Sequence, residues 1–350
     1  MKLATVIMAG GSGKRFWPLS RESRAKQSLA LFSEKTLMLE TIERILPICS
    51  DITVVSSIKQ KNSIDPDVEK HNEVSVIYEP SGRNTAPCIM LSLEFIRSRI
   101  NEDCAVLVLP ADHHIADKDE FLKCVEKGMK YLEDHRDSIG TIGIRPAYPE
   151  TGFGYIRKGD KIAEGVCSVR AFEEKPDISK AEMFVNSGEY LWNAGIFLFT
   201  LEVMRAQFRD LNPDIYESVS KIRSFDNIDN QQYGSIRSIS FDYAVMERTK
   251  NPVFTVPGDF GWSDVGSWLA YYELLPKDKD GNAAKGKAEF IDSKNSLAVN
   301  LTDKTIFLFN RDRELVIALD DVILSASLDD HQELRKVTEY LQKNETTEFL

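Results

Sequence analysis

The sequence predicts an α/β protein: a mostly parallel sheet with helices on both faces, followed by a small β-rich appendage at the C-terminal end. Three observations predict it. Apolar, β-branched runs alternate with stretches of helical spacing from Thr5 to Leu109, a rhythm that suits parallel strands joined by helical crossovers. The first run empties straight into a basic, glycine-rich turn, Gly10-Gly11-Ser12-Gly13-Lys14-Arg15. After Lys277 the texture changes to short β-like runs divided by polar turns, so one domain is expected over 1–276 and a second over 277–350.

Taken in order, Thr5 to Ala9 is a buried strand, and Thr36 to Ile45 carries apolar residues at helical spacing. Ile52 to Val55 and Val74 to Tyr78 are strands, the second followed by Glu79-Pro80-Ser81-Gly82-Arg83-Asn84-Thr85-Ala86-Pro87. Pro87 suits the first turn of a helix running to about Ile100, where its missing N–H is not needed. Ala105 to Leu109 is a strand with Asp112 just past its end. The loops at Gly10, Glu79 and Asp112 therefore share the carboxyl rim of the sheet, where open α/β sheets bind ligands, and the architecture is Rossmann-like in this sense. A helix over Asp119–Leu132 and a strand over Ile139–Ile144 follow, then Gly152-Phe153-Gly154-Tyr155, a second strand over Val166–Phe172 and the turn Glu173-Glu174-Lys175-Pro176. Trp192-Asn193-Ala194-Gly195 precedes an apolar run, Phe241–Glu247 starts a helix, Val253–Val256 is a strand, and Gly261–Trp268 is a loop entering a helix. β-like runs near Phe290, Leu297, Ile306, Val316 and Ile323 build the appendage, which a helix over Asp329–Leu341 closes.

Composition narrows the function. With 42% apolar and 28% charged residues the chain has the profile of a soluble globular protein, and no apolar run approaches the length needed to span a bilayer. The N-terminus lacks an export leader's order of charge, apolar stretch and cleavage site, so the cytoplasm is expected. Five cysteines without C-x-x-C spacing argue against a disulfide framework and a zinc site and suit small core hydrophobes. A net charge of −11 excludes a broad nucleic-acid face. Against that acidic background the cluster Lys14, Arg15, Arg21, Arg24 and Lys26 suits a small anionic ligand.

The glycine turn suits a phosphate chain, because glycines let backbone N–H groups close around an anion while Lys14 and Arg15 add charge. It is not a P-loop, since Met8 and Arg15 stand where that motif needs glycine and Ser or Thr. Nor is it a dinucleotide-binding loop, whose third small residue would fall at Phe16. The stretch from Gly10 to Gln27 resembles instead the glycine-rich block of the sugar-1-phosphate nucleotidyltransferases, and Trp17-Pro18-Leu19-Ser20-Arg21 points to the branch that makes guanylyl sugars from mannose 1-phosphate. Further blocks similar to that family follow in order at Glu79–Pro87, Leu109–His113, Gly152–Tyr155, Phe172–Pro176, Trp192–Gly195 and Gly261–Gly266.

The resemblance implies transfer of a guanylyl group from GTP to α-D-mannose 1-phosphate with release of pyrophosphate, and Mg²⁺ as cofactor. It assigns Arg15, Lys26, Asp112 and Asp264 to catalysis, with Asp112 and Asp264 as the metal carboxylates. Gly10, Gly11, Gly13, Lys14, Arg15, Gly82, Arg83, Asn84 and Thr85 are its nucleotide contacts, and Gly154, Glu174, Lys175 and Asn193 its sugar-phosphate contacts. The chemistry is coherent: a phosphate dianion is already a nucleophile at pH 7, so the site must overcome anion repulsion and hold an in-line geometry rather than supply a base. That leaves His113 and His114 a structural role. Tyr155, Trp192 and Trp262 are candidates both for a sugar pocket and for core packing. The chain departs from the family's usual pattern at Ala25, Ala111, Glu173 and Ala194, none of which removes a charge the mechanism needs. A transferase for another hexose or heptose 1-phosphate, or a nucleotide-sugar-binding homologue without turnover, are the alternatives. A homodimer is an expectation carried by the resemblance alone.

Overall fold

The computed structural model describes residues 1–11, 14–100 and 102–349. The chain divides into two compact units, one of residues 1–10 and 38–262 and the other of residues 11–37 and 263–350. The sequence placed a single boundary at 276/277. The division falls earlier, and it draws in residues 11–37, because that segment and the helix after residue 267 share one apolar core.

The first unit is built on a nine-stranded sheet. Its strands are β1 (Leu3–Ala9), β2 (Ile52–Ser57), β3 (Val74–Glu79), β4 (Ala105–Pro110), β5 (Ile139–Ile144), β6 (Gly154–Ala163), β7 (Val166–Glu174), β8 (Tyr190–Thr200) and β9 (Val253–Gly258), in the order β3-β2-β1-β4-β8-β5-β9-β7-β6. The expected parallel arrangement holds for β3-β2-β1-β4 and for the β5–β9 pair. Elsewhere the sheet is antiparallel: β8 runs against β4, β5 and β6, and the β6–β7 hairpin closes one edge through β7 and β9. The reason is that β6 and β7 are joined by a short turn, which can only reverse direction, whereas β1 to β4 are joined through helices.

Helices cover both faces, as the alternation along β1 requires. Ile7 and Ala9 face one side with Ile42 and Ile45 of α1 (Leu37–Ile45), Ile64 of α2 (Lys61–Val68), Phe121 of α4 (Lys118–Asp134) and Phe184 of α5 (Ile178–Ser187). Ala4 and Val6 face the other with Ile89 and Leu93 of α3 (Thr85–Arg99), Phe208 of α6 (Leu201–Leu211), Val219 of α7 (Pro213–Ser220) and Tyr233 of α8 (Asn230–Gly234). The helix start expected at Phe241 is a single π-helical turn, Asp242–Met246.

The second unit is smaller and β-rich. Strands β10 (Ala283–Lys285), β12 (Leu297–Asn300) and β14 (Glu314–Ala318) pair in parallel, β15 (Ile323–Ser327) adds antiparallel to β14, and β11 (Ala288–Ile291) pairs with β13 (Ile306–Phe309). Leu297, Val299, Leu315 and Ile317 pack with Phe16, Leu19, Leu29 and Leu31 and with Trp268 and Tyr271 of α9 (Trp268–Leu274). Polar bonds fix the same contact: Trp268 Nε1 donates to Trp17 O at 3.2 Å, Tyr271 Oη to Leu31 O at 2.7 Å and Lys285 Nζ to Ala30 O at 2.6 Å. The closing helix is α10 (Arg335–Lys343). Among the described residues no helix is long and apolar enough to cross a membrane. All five cysteines are free, four of them buried, as core hydrophobes should be.

Candidate active site

In the first unit β1, β3 and β4 end in step, because β2 pairs Ala9 with Ser56 and Ser57 with Glu79 while β1 pairs Met8 with Pro110. Gly10, Glu79 and Asp112 thus lie on one rim, as expected from the sequence. Ser56 Oγ donates to Ala9 O at 3.0 Å, tying the last β1 carbonyl to β2. A Cβ built on Gly10 would sit 3.5 Å from Glu79 Oε2, so the glycine turn leaves β1 directly over that carboxyl. Glu79 is buried, burial pushes its pKa up to about 7, and Tyr233 Oη donates to its Oε1.

Helix α3 begins at the same rim. Asn84, with φ of 65°, is its N-cap, and its Oδ1 accepts from Thr85 N at 2.8 Å. Gly82 and Asn84 are exposed, Arg83 and Thr85 half-buried. The Arg83 Nε and Ser81 Oγ are buried without a hydrogen-bond partner, and a Cβ on Gly234 would lie 3.3 Å from Arg83 Nη2. The four predicted nucleotide contacts therefore form one helix-opening loop with N–H groups and a guanidinium, an arrangement suited to anions.

The predicted sugar contacts meet at the other end of the sheet. The β6–β7 register sets Gly154 opposite Glu174, and β8 brings Asn193 alongside. A Cβ on Gly154 would stand 2.5 Å from Glu174 Oε2 and 3.4 Å from Asn193 Cβ, so glycine lets the Glu174 carboxylate lie directly against the β6 backbone. Lys175, with φ of 46°, turns out of the strand and its Nζ reaches Glu174 Oε1 at 3.1 Å. Asn193 Nδ2 donates to Asp242 Oδ1 at 2.7 Å, while Gly195 N donates to Asn193 Oδ1 at 3.0 Å. Burial, then the charge of Glu174, raises the Asp242 pKa, and burial with Glu174 and Asp242 raises that of Glu247. Glu173, Glu174, Asp242 and Glu247 thus share one acidic neighbourhood. A run of ring contacts, His113–Trp262–Phe153–Trp192–Tyr148, stands within the same unit. His113 is occupied there by packing, with Trp262 Nε1 donating to its Nδ1 at 3.1 Å, and Tyr155 is a core residue whose hydroxyl donates to Glu150 O at 2.9 Å.

The second unit carries the remaining predicted residues. Lys26 is buried and its Nζ donates to Asp264 O, so two of the four expected catalytic residues stand side by side. Gln27 Nε2 donates to Gly11 O at 3.4 Å, which holds the turn to the same segment. Arg15 is exposed. Gly13 and the Lys14 side chain lie outside the described residues. Asp264 Oδ1 accepts from Gly266 N at 3.1 Å. Among the described residues no three His, Cys, Asp or Glu side chains gather to cage a metal ion. Single carboxylates, hard oxygen donors, fit a magnesium ion that takes the rest of its shell from phosphates and water.

Sequence reasoning did not single out Glu79 and Asp242, which the structure sets beside the predicted contacts. Glu79 ends a strand as a surface acid would, and only its burial marks it. Asp242 opens an apparent helix, where an acid is unremarkable.

In the first unit, a helix-opening loop suited to anions and a cluster of carboxylates around an amide, set on an α/β sheet, are features of an enzyme that handles nucleotides and phosphates. The family model for nucleotidyl transferases matches residues 4–281, and this chain belongs to that family. It is 36% identical over 358 residues to a mannose-1-phosphate guanylyltransferase of Salmonella muenchen, covering 99% of this chain and 75% of the relative. It is also 36% identical over 357 residues to the protein of the same name in Escherichia coli K12, covering 97% and 74%. Among solved structures it resembles one described as a mannose-1-phosphate geranyltransferase from Thermus thermophilus, at 30% identity and a TM-score of 0.88, covering 98% of this chain and 100% of that one.

Proposed function

We propose that this chain transfers the guanylyl group of GTP to α-D-mannose 1-phosphate, forming GDP-mannose and pyrophosphate. The observation that carries this reading is the rim where Gly10 at the end of β1, the buried Glu79 and the first turn of α3 come together. Backbone N–H groups and Arg83 suit the triphosphate. A carboxylate beside them suits guanine, whose N1–H and N2–H groups both donate, and disfavours adenine, whose N1 accepts. Glu174 and Asn193 bind sugar hydroxyls as acceptor and amide, and Lys175 pairs with the sugar phosphate.

In the reaction an oxygen of the sugar phosphate attacks the α-phosphorus in line and pyrophosphate leaves, with no proton to abstract. Lys26, held by the Asp264 carbonyl, offsets repulsion between the two phosphates, and Arg15 binds the triphosphate. Asp112 and Asp264 are the carboxylates the motifs assign to Mg²⁺. When bound, the ion neutralises charge that builds on the phosphate oxygens.

A matrix of nucleoside triphosphates and sugar 1-phosphates with Mg²⁺, read by pyrophosphate release, tests the reading. GTP with mannose 1-phosphate should give the highest kcat/KM. Strong turnover only with another sugar would replace the acceptor, and binding of GDP-mannose with no turnover of any pair would make the chain a binding protein.

A further inference from the structure

We propose that Asp242 is a positioning residue for the sugar subsite: it accepts one N–H of the Asn193 amide so that this amide meets the sugar 1-phosphate in a single fixed orientation. The inference rests on the assignment of Asn193 to the sugar and adds a residue the motifs do not mark. An asparagine amide has two donors and two acceptor lone pairs, and its two ends exchange on a half-turn about χ2. Here both ends are engaged: Nδ2 donates to Asp242 Oδ1 at 2.7 Å and Oδ1 accepts from Gly195 N at 3.0 Å. A carboxylate only accepts, and a backbone N–H only donates, so the flipped amide would set oxygen against oxygen and N–H against N–H. The amide therefore keeps one N–H and one lone pair, each on a known side, for a ligand.

Asp242 is itself held in place. Phe241 N donates to Thr85 Oγ1 at 2.8 Å and Ala86 N to Ile239 O at 3.2 Å, so the first turn of α3 anchors the residues leading to Asp242. Asp242 then opens the π-helical turn Asp242–Met246, a rare geometry frequent at functional sites. The charged groups influencing it are Glu174 and Lys175, and Glu247 senses Asp242 in turn. Keeping a carboxylate beside Glu174 is unfavourable unless it has a task, and orienting Asn193 is the one its hydrogen bond shows.

The test is a double-mutant cycle. Asp242→Ala should raise the KM for the sugar 1-phosphate about tenfold while the KM for GTP changes less than about twofold. Asp242→Asn, whose carbonyl oxygen can accept the same N–H, should stay within about threefold of wild type, and it serves as the folding control. Added to Asn193→Ala, Asp242→Ala should have no further effect. Additive effects, a parallel rise in the KM for GTP, or an Asp242→Asn variant as impaired as Asp242→Ala would overturn the proposal. If wild type uses a sugar other than mannose, the acceptor assignment falls while the same ratios, measured with that sugar, still decide the role of Asp242. If no sugar 1-phosphate is turned over, the ratios are read from calorimetric binding of mannose 1-phosphate, and equal affinities of wild type and Asp242→Ala would overturn it.

Discussion

The two ends of the first unit's sheet solve opposite problems. At the rim of β1, β3 and β4 the strands run parallel and stop in step, so the chain offers backbone: Gly10 and the first N–H groups of α3, with one buried carboxyl among them. At the β6–β7–β8 end the strands run antiparallel and the chain offers side chains instead, with Glu173, Glu174, Asp242 and Glu247 near Asn193 and Lys175 close at hand. Backbone donors suit phosphates, which need many N–H groups and little discrimination. Carboxylates and amides suit hydroxyls, which differ between sugars only in direction. The acidic end would repel a triphosphate, which in the proposed arrangement favours the nucleotide at the other end.

The largest effect should come from the residue serving the shared step. Asp264→Asn should lower kcat by roughly 100-fold or more, with partial recovery at raised Mg²⁺; a variant with wild-type turnover would remove the metal assignment. Next comes a pair of opposite changes. Glu174→Ala should raise the KM for the sugar phosphate by roughly tenfold or more and leave GTP nearly unaffected, whereas Arg15→Ala should do the reverse, because each removes a charged hydrogen-bonding group. Equal effects of both variants on both substrates would erase the distinction between the two ends.

Glu79 gives the gentlest and most specific contrast. Its pKa of about 7 exceeds the ordinary carboxyl value, so the folded protein holds a proton there that the unfolded chain has released between about pH 4.5 and pH 7. Stability therefore falls as pH rises through that window, by at most about 3 kcal/mol from this group. Glu79→Gln should flatten that slope in melting experiments from pH 5 to pH 8. GTP needs the ionised form in the proposed contact, so its KM should rise as pH drops below 7 in wild type, and in Glu79→Gln discrimination against ATP should fall about tenfold.

Much of this was legible in the chain because it is local. β1 and its turn announce themselves by a β-branched run meeting glycines, and the parallel half follows from strand and helix alternating. β8 was not legible: Asn193-Ala194-Gly195 interrupts its apolar run, and its insertion between β4 and β5 is decided by partners distant in sequence. Glu79 and Asp242 are ordinary acids until burial and a neighbour give them work. The allegiance of residues 11–37 was equally hidden, since Phe16, Leu19, Leu29 and Leu31 reveal their core only when α9 and the late strands are in place.

That allegiance bears on how the molecule is made. Trp17 Nε1 donates to Phe349 O at 2.7 Å and Trp268 Nε1 donates to Trp17 O, while the Phe16 ring lies 4.8 Å from that of Trp268 and is tilted by 50° to it, so an early apolar segment of the nascent chain waits for partners 251 and 332 residues further along. Such long-range closure slows folding and leaves greasy surface bare meanwhile. A fragment beginning at residue 263 would lack Phe16, Leu19, Leu29, Leu31 and Leu37 from its interior and should show no cooperative melt by circular dichroism.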